Sequence, residues 1–200
     1  MIAGVLLDLD DTLVDRTGAV SGWLTTLGGA HAASLMAADA GGYGDRNAFF
    51  QLLAERMGWT GPEARAHFRK GLLERLQPMP GATQLIERLS SRYTIAVATN
   101  GTVAMQRAKL AASGLDRLVP TCVISEAIGV AKPATPFFAH AVQVLGTTPA
   151  TTLMIGDHPI NDVAGAKSAG LRTCWLRNPR HPVPREADLC VDQLDAVELA

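Results

Sequence analysis

The residues of this 200-residue chain that could do chemistry stand at the ends of apolar runs. Asp8-Leu9-Asp10-Asp11-Thr12 follows Ile2-Ala3-Gly4-Val5-Leu6-Leu7, a run of strand length suited to burial on both faces of a sheet. Carboxylates at i and i+2 on extended backbone project to one side, so Asp8 and Asp10 address the same space. At roughly 4 Å and an effective dielectric near 20, two such charges repel by about 4 kcal/mol. The pair therefore calls for a cation, a proton or both. Two later apolar runs also end in residues suited to phosphate and metal. One closes on Thr99-Asn100-Gly101, the other on Gly156-Asp157 with Asp162 shortly after, and Lys132-Pro133 lies in a loop between them.

Each residue type has a physical use in phosphoryl transfer. A carboxylate can attack phosphorus and hold the phosphoryl group as an acyl phosphate. A second acid can protonate the leaving oxygen and then deprotonate water. A hydroxyl and the backbone amides of a Gly-containing turn can cradle the non-bridging oxygens. Further carboxylates can hold Mg²⁺, a hard ion that prefers oxygen ligands. Lys132 can neutralise the remaining charge. Such transfer needs mostly positioning and charge stabilisation, and this set offers both.

The elements that must position these groups follow from periodicity. From Gly81 onward strands and helices alternate: helix over 82–91, strand over 93–98, helix over 102–113 stopped by Gly114, strand over 121–124. A helix from Thr135-Pro136 to about Leu145, a strand over 152–155, a helix over 160–169 stopped by Gly170, and strands over 171–176 and 188–191 complete the series. The alternation predicts an α/β fold, a doubly wound parallel sheet with helices on both faces and its strand ends at one edge. Between Asp15 and Pro78 no strand pattern occurs. Val20, Trp23, Leu24 and Leu27 recur at helical spacing, and an alanine-rich segment runs from Ala30 to Ala40. Asp45 can cap a helix burying Phe49, Leu52, Leu53 and Met57, and Gly61-Pro62 opens another carrying Ala64, Phe68, Leu72, Leu73 and Leu76. Residues 15–78 thus read as a small all-helical module inserted into a core of 1–14 and 79–200, joined by linkers over 15–18 and 77–81.

Composition narrows the function classes. A formal net charge of -1 with 18% charged residues gives no basic field for nucleic acid or membrane, and no apolar run approaches a membrane span. Met1-Ile2-Ala3-Gly4 lacks a basic n-region and leads straight into the first strand, so no cleaved signal peptide is expected. Cys122, Cys174 and Cys190, odd in number and unpaired in spacing, are expected as small core residues in a reducing cytoplasm. Trp23, Trp59 and Trp175 are expected to fill core or interdomain space. Oligomeric state is not written in the pattern.

Taken together, Asp8-Leu9-Asp10-Asp11-Thr12-Leu13-Val14, Thr99, Lys132 and Gly156-Asp157 through Asp162 resemble, in order, the four motifs of the haloacid dehalogenase-like hydrolases. The resemblance covers essentially the whole chain and points to the branch with a helical cap inserted after the first motif. It implies Asp8 as nucleophile, Asp10 as general acid/base, and Thr99, Lys132 and the amide of Asn100 as phosphate ligands. It also implies Mg²⁺ on Asp8, the Asp10 carbonyl and Asp157, with Asp162 as a further or water-mediated ligand. The expected activity is a Mg²⁺-dependent phosphatase of a small phosphorylated metabolite, working through an aspartyl phosphate. A phosphosugar mutase shares these residues, and a metal- or phosphate-binding regulatory module sharing the fold is the non-catalytic alternative. A dehalogenase would not need a proton donor at position 10.

Two further residues are candidates for substrate contact. Arg46 follows the flexible Gly41-Gly42-Tyr43-Gly44 loop and opposes the dipole of the helix it opens, so ligand binding by its planar fork is one reading. A surface pairing with Asp39 or Asp45 is the other. His158 follows Asp157 and precedes Pro159, so it either touches substrate or serves turn geometry.

Overall fold

The computed structural model describes residues 1–28 and 31–199 and divides into two compact units, one of residues 1–14 with 78–200 and one of residues 15–77. In the first unit, strand β1 (Gly4–Leu7) is buried at every position, and both of its edges are paired. Parallel partners are β2 (Thr94–Thr99) on one side and β4 (Thr152–Gly156) on the other, and β3 (Cys122–Ile124), β5 (Arg172–Leu176) and β6 (Leu189–Val191) extend the sheet. The order β3-β2-β1-β4-β5-β6 changes direction at β1. In such sheets the crevice beyond the strand ends at this switch point is the ligand site. Leu7 pairs with both Val97 and Ile155, so the residues after β1, β2 and β4 arrive at the same edge.

Helices cover the sheet: α5 (Ala82–Ser90), α6 (Val103–Ser113), the single turn α7 (Ser125–Ile128), α8 (Thr135–Leu145) and α9 (Gly165–Ser168). On one face Phe137, Phe138, Ala141, Val142 and Leu145 of α8 pack with Leu6, Ala96, Ala98 and Met154. Each large apolar side chain fully buried there contributes about 1.5–3 kcal/mol. The expected helix over 160–169 begins instead as a π-turn over Pro159–Ala164 that passes into α9. His158 explains the wider winding: its Nδ1 accepts from the backbone N–H groups of Ile160 (3.2 Å) and Asn161 (3.1 Å), and its carbonyl from Asp162 (2.9 Å) and Val163 (3.4 Å). Of the cysteines, Cys174 is buried and Cys122 half-buried, but Cys190 is exposed. The core expectation fails for Cys190 because β6 ends the sheet and has no strand beyond it. Trp23 and Trp175 are buried, whereas Trp59 stacks on His67 at 4.2 Å. No helix among the described residues is long and apolar enough to cross a membrane.

The second unit consists of α1 (Arg16–Thr26), α2 (Ala32–Asp39), α3 (Arg46–Met57) and α4 (Gly61–Leu73). Ala30, where the alanine-rich segment was expected to begin, lies outside the described residues. Asp45 caps α3 through the N–H groups of Asn47 and Ala48, and Thr60 with Glu63 forms a capping box on α4. Residues 15–18, expected as a linker, are the capped first turn of α1. Asp15 accepts from Gly18 N–H at 2.7 Å, and a Cβ on Gly18 would stand 2.1 Å from that carboxylate. Trp23, Phe49 and Phe68 meet edge to face, with centroids 5.7 Å and 5.3 Å apart for the two pairs sharing Phe68. Beside them Asp39 is fully buried, taking two bonds from Arg16 (2.7 and 2.8 Å) and one from Arg46 (2.7 Å).

Two opposing glycine effects can be separated in this unit. An interior helix glycine replaced by alanine ordinarily gains about 1 kcal/mol. At Gly71, however, a Cβ would stand 2.0 Å from the ring of Trp23, and overpacking costs about 1–3 kcal/mol. At Gly22 a Cβ would come no nearer than 3.8 Å to any atom outside its own helix, the Arg75 side chain. Urea unfolding should show Gly22→Ala raising the midpoint and Gly71→Ala lowering it. Asp39 sets a second expectation. Burial alone would raise its pKa, but the hydrogen bonds and charges of Arg16 and Arg46 outweigh burial and hold the carboxyl below its ordinary value. Its contribution is full above the unfolded value of about 3.9 and is lost as pH falls through the lower folded value. Asp39→Asn should cost about 3–5 kcal/mol at neutral pH, the cost of breaking a buried pair. The difference between parent and variant in unfolding titrations should narrow below about pH 4.

Candidate active site

Beyond the end of β1, Asp8 is buried, its backbone N–H donating to Ile155 O at 2.9 Å. Its Oδ1 accepts from the ammonium of Lys132 at 2.6 Å. That ammonium, also buried, donates to Asp162 Oδ1 and to Ala98 O, each at 2.7 Å. Asp162 is turned toward the cluster by the wide π-turn, and its Oδ2 accepts from His158 N–H at 2.9 Å. Gly156 is what allows this approach: a Cβ there would meet Asp162 Oδ2 at 2.3 Å. Asp157, the next residue, is held from several sides. Its carboxylate accepts from Thr12 (3.3 Å) and Asn178 (2.5 Å), and its carbonyl from the Trp175 indole (2.7 Å).

One carboxylate oxygen each from Asp8, Asp157 and Asp162 lies within 4.8 Å of the others. Three carboxylates against one ammonium leave an excess of negative charge in a buried place. Burial pushes Asp8 well above its ordinary pKa, and Asp162 and Asp157 add to this against the pull of Lys132. Burial and then Asp162 push Asp157 up to about 7. For Lys132, burial is outweighed by Asp162 and Asp8, which keep the ammonium charged. Asp8 Oδ2 is buried and without a hydrogen-bond partner. An all-oxygen donor set, surplus negative charge and an orphaned carboxylate oxygen fit a hard divalent cation such as Mg²⁺.

The other side of the edge is organised by β2 and α6. Thr99 Oγ1, at the end of β2, accepts from Gln106 Nε2 at 2.6 Å. Gln106 also reaches Asp10 Oδ2 at 3.3 Å, and the same oxygen takes the ammonium of Lys109 at 2.5 Å. The side-chain amide of Asn100 reaches the loop that carries Lys132. It donates to Lys132 O and accepts from Lys132 N–H, both at 2.9 Å, and so anchors the lysine's main chain.

The sheet edge thus brings together Asp8, Asp10, Thr99, Asn100, Lys132, Asp157 and Asp162. His158 lies beside them, with Nδ1 committed to capping the π-turn and its pKa lowered chiefly by burial. Arg46 belongs to the helical unit. Its Nη1 is on buried Asp39 and its guanidinium lies 4.5 Å from the centre of the Phe49 ring. The pairing with Asp39 joins a fully buried carboxylate to a part-buried arginine, rather than making the surface pair weighed from sequence. Sequence reasoning missed Gln106, Lys109, Thr12, Asn178 and Arg180, the last paired with Asp11 at 2.5 Å and 4.0 Å from Asp157. Gln106 and Lys109 share the helical spacing of Leu110 on α6, but polar residues at that spacing read equally well as a solvated face.

Known proteins resemble this chain in sequence and in fold. Pyrimidine 5′-nucleotidase YjjG of Escherichia coli is 35% identical over 133 residues, 66% of this chain and 59% of that protein. Phosphoserine phosphatase of Thermus thermophilus is 36% identical over 139 residues, 68% of this chain and 55% of its own length. The chain therefore spans little more than half the length of these relatives. The solved structure of the HAD-hydrolase YfnB of Bacillus subtilis, bound to magnesium, matches with a TM-score of 0.82 at 26% identity, covering 97% of this chain and 96% of that one. The family model for haloacid dehalogenase-like hydrolases matches residues 2–170, a span that holds every carboxylate of the cluster, and the chain belongs to that family.

Proposed function

We propose that this chain is a Mg²⁺-dependent phosphatase of a small phosphorylated metabolite, with Asp8 as the nucleophile. The observation that carries the reading is a buried Asp8 held through Oδ1 by Lys132, with a partnerless Oδ2 beside Asp157 and Asp162. An oxygen of Asp8 forms a bond to phosphorus as the ester oxygen leaves, and Asp10 gives that oxygen its proton. Asp10 then takes a proton from water, which attacks phosphorus and frees Asp8 together with inorganic phosphate. Thr99 accepts from Gln106 and donates only a long 3.5 Å bond to Asn100 O, so its hydroxyl hydrogen can turn to a phosphoryl oxygen, alongside the backbone amides of the 99–101 turn and the ammonium of Lys132. Mg²⁺ held by Asp8, Asp157 and Asp162, and by the Asp10 carbonyl that the family resemblance implies, would offset the charge that gathers when a phosphate enters.

An acid at position 10 supports an ester substrate over a halide, which leaves without a proton. The relatives' names, a pyrimidine 5′-nucleotidase and a phosphoserine phosphatase, support a small phosphorylated metabolite as the substrate class.

Asp8→Asn is nearly isosteric and should remove Mg²⁺-dependent release of phosphate from 4-nitrophenyl phosphate by several orders of magnitude, with an unchanged circular dichroism spectrum. Turnover near the parent rate would overturn the assignment. A quieter variant tests the metal site without altering a ligand. Gly156→Ala places a methyl where Asp162 now sits and should weaken Mg²⁺ binding about 10–100-fold by calorimetry. Parent-like affinity in a folded variant would remove Asp162 from the ligand set.

A further inference from the structure

Gln106 and Lys109 are an unusual burden for a helix packed on a sheet. Both are buried, at 1% and 4% exposure, and a spacing of three puts them on one face of α6 with Leu110. A buried ammonium is costly unless it is paired, and an apolar side chain would pack there without that cost. Instead both side chains converge on Asp10. Lys109 Nζ donates to Asp10 Oδ2 at 2.5 Å, and Gln106 Nε2 forks between that same oxygen at 3.3 Å and Thr99 Oγ1 at 2.6 Å. α6 itself is anchored at its start, where Thr102 caps Met105 N–H and Glu126 accepts from Val103 N–H at 2.7 Å. Gly101 belongs to the same anchorage, since a Cβ there would meet the Gln106 amide carbon at 3.0 Å.

We propose that Lys109 and Gln106 are positioning residues for the proton-transfer step, fixing the Asp10 carboxyl group through Oδ2 so that the proton it carries on Oδ1 is delivered to the leaving oxygen. This rests on the reading of Asp10 as the acid. In the step concerned, the bond from Asp8 to phosphorus forms, the ester P–O bond breaks, and the proton passes from Asp10 to the departing oxygen. Gln106 ties this acid to the hydroxyl that holds the phosphoryl group. One rigid helix therefore sets the distance between the group that binds phosphate and the group that protonates what leaves it. Misplacing a reacting group by about 1 Å can cost about 10²-fold, which makes such a tie worth a buried charge.

The role is read from leaving-group dependence, which a purely structural contribution would not move. An alkoxide is a strong base and needs the proton, whereas 4-nitrophenolate leaves with little help. The measurement is kcat/KM for 2-phenylethyl phosphate and for 4-nitrophenyl phosphate, in the Mg²⁺-loaded parent, Asp10→Asn, Lys109→Met, Lys109→Arg and the double variant Asp10→Asn/Lys109→Met. Lys109→Met should lower the alkyl-to-aryl ratio about 10–100-fold. Lys109→Arg should recover part of it, and Lys109→Met should change the ratio no further once Asp10 is Asn. If Asp10→Asn lowers the ratio and Lys109→Met reduces both substrates equally, the positioning role is overturned while the phosphatase reading stands. If Asp10→Asn itself reduces both equally, the acid assignment falls and takes this proposal with it. Should circular dichroism show Lys109→Met unfolded, Gln106→Met carries the same comparison, and an unchanged ratio in that variant overturns the role.

Discussion

The ammonium of Lys132 is the interaction on which the rest of the edge depends. It is buried, and its three bonds go to Asp8, to Asp162 and to the carbonyl of Ala98 in β2. Those partners come from the ends of β1 and β2 and from the turn after β4, so one side chain joins three neighbouring strand ends. A charge in that position is tolerable only because carboxylates surround it, and the carboxylates can crowd together only because it is there. Two bonds between the Asn100 side chain and the main chain of Lys132 hold the lysine in place, which makes the loop part of the sheet edge.

Around this centre the site divides by charge. Toward β4 and β5 it is acidic, with Asp157 steadied by Thr12, Asn178 and Trp175 so that the carboxylate keeps one orientation despite its neighbours. Toward β2 it is a relay of donors from α6 onto Thr99 and Asp10. A phosphate ester approaching the edge would meet a region of surplus negative charge on one flank and a set of hydrogen-bond donors on the other. That asymmetry gives the site a direction, and Asp8 stands at the boundary between its halves.

What could be read in advance was whatever depends on local pattern. The apolar runs ending in Asp8, Thr99 and Gly156-Asp157 carry the parallel sheet and its reactive edge, because a strand buried on both faces has no other way to be written. Asp45 announced its helix because capping is a contact within a few residues, and Gly61-Pro62 announced the next because proline suits a first helical turn. Gln106 and Lys109 were hidden because a polar residue on a helix usually faces water, and only the fold reveals that this face turns inward. The π-turn escaped because its cause, the His158 ring nitrogen accepting two backbone N–H groups, leaves no periodic trace. Cys190 misled for the opposite reason: a strand-like run says nothing of whether its strand will end the sheet.

The placement of β1 has a consequence for how the molecule is made. It is the first of the six strands of the sheet in chain order, and it ends up between two neighbours that come much later, β2 from Thr94 and β4 from Thr152. At synthesis rates of about 5–20 residues per second, its second partner follows it by roughly 7–30 s. Throughout that interval an apolar run remains without a partner on that side, in the state most open to wrong association. The helical unit is synthesised inside the same interval. Its own core of Trp23, Phe49 and Phe68 contains no residue of the sheet. Where it leaves the sheet and where it returns are stitched together by the Val14–Pro78 bridge and by the bond from Met79 N–H to Leu13 O. Once that stitch closes, the intervening 15–77 segment becomes a loop whose length adds little entropy, and β2 is delivered to β1 as though the two were near neighbours in the chain.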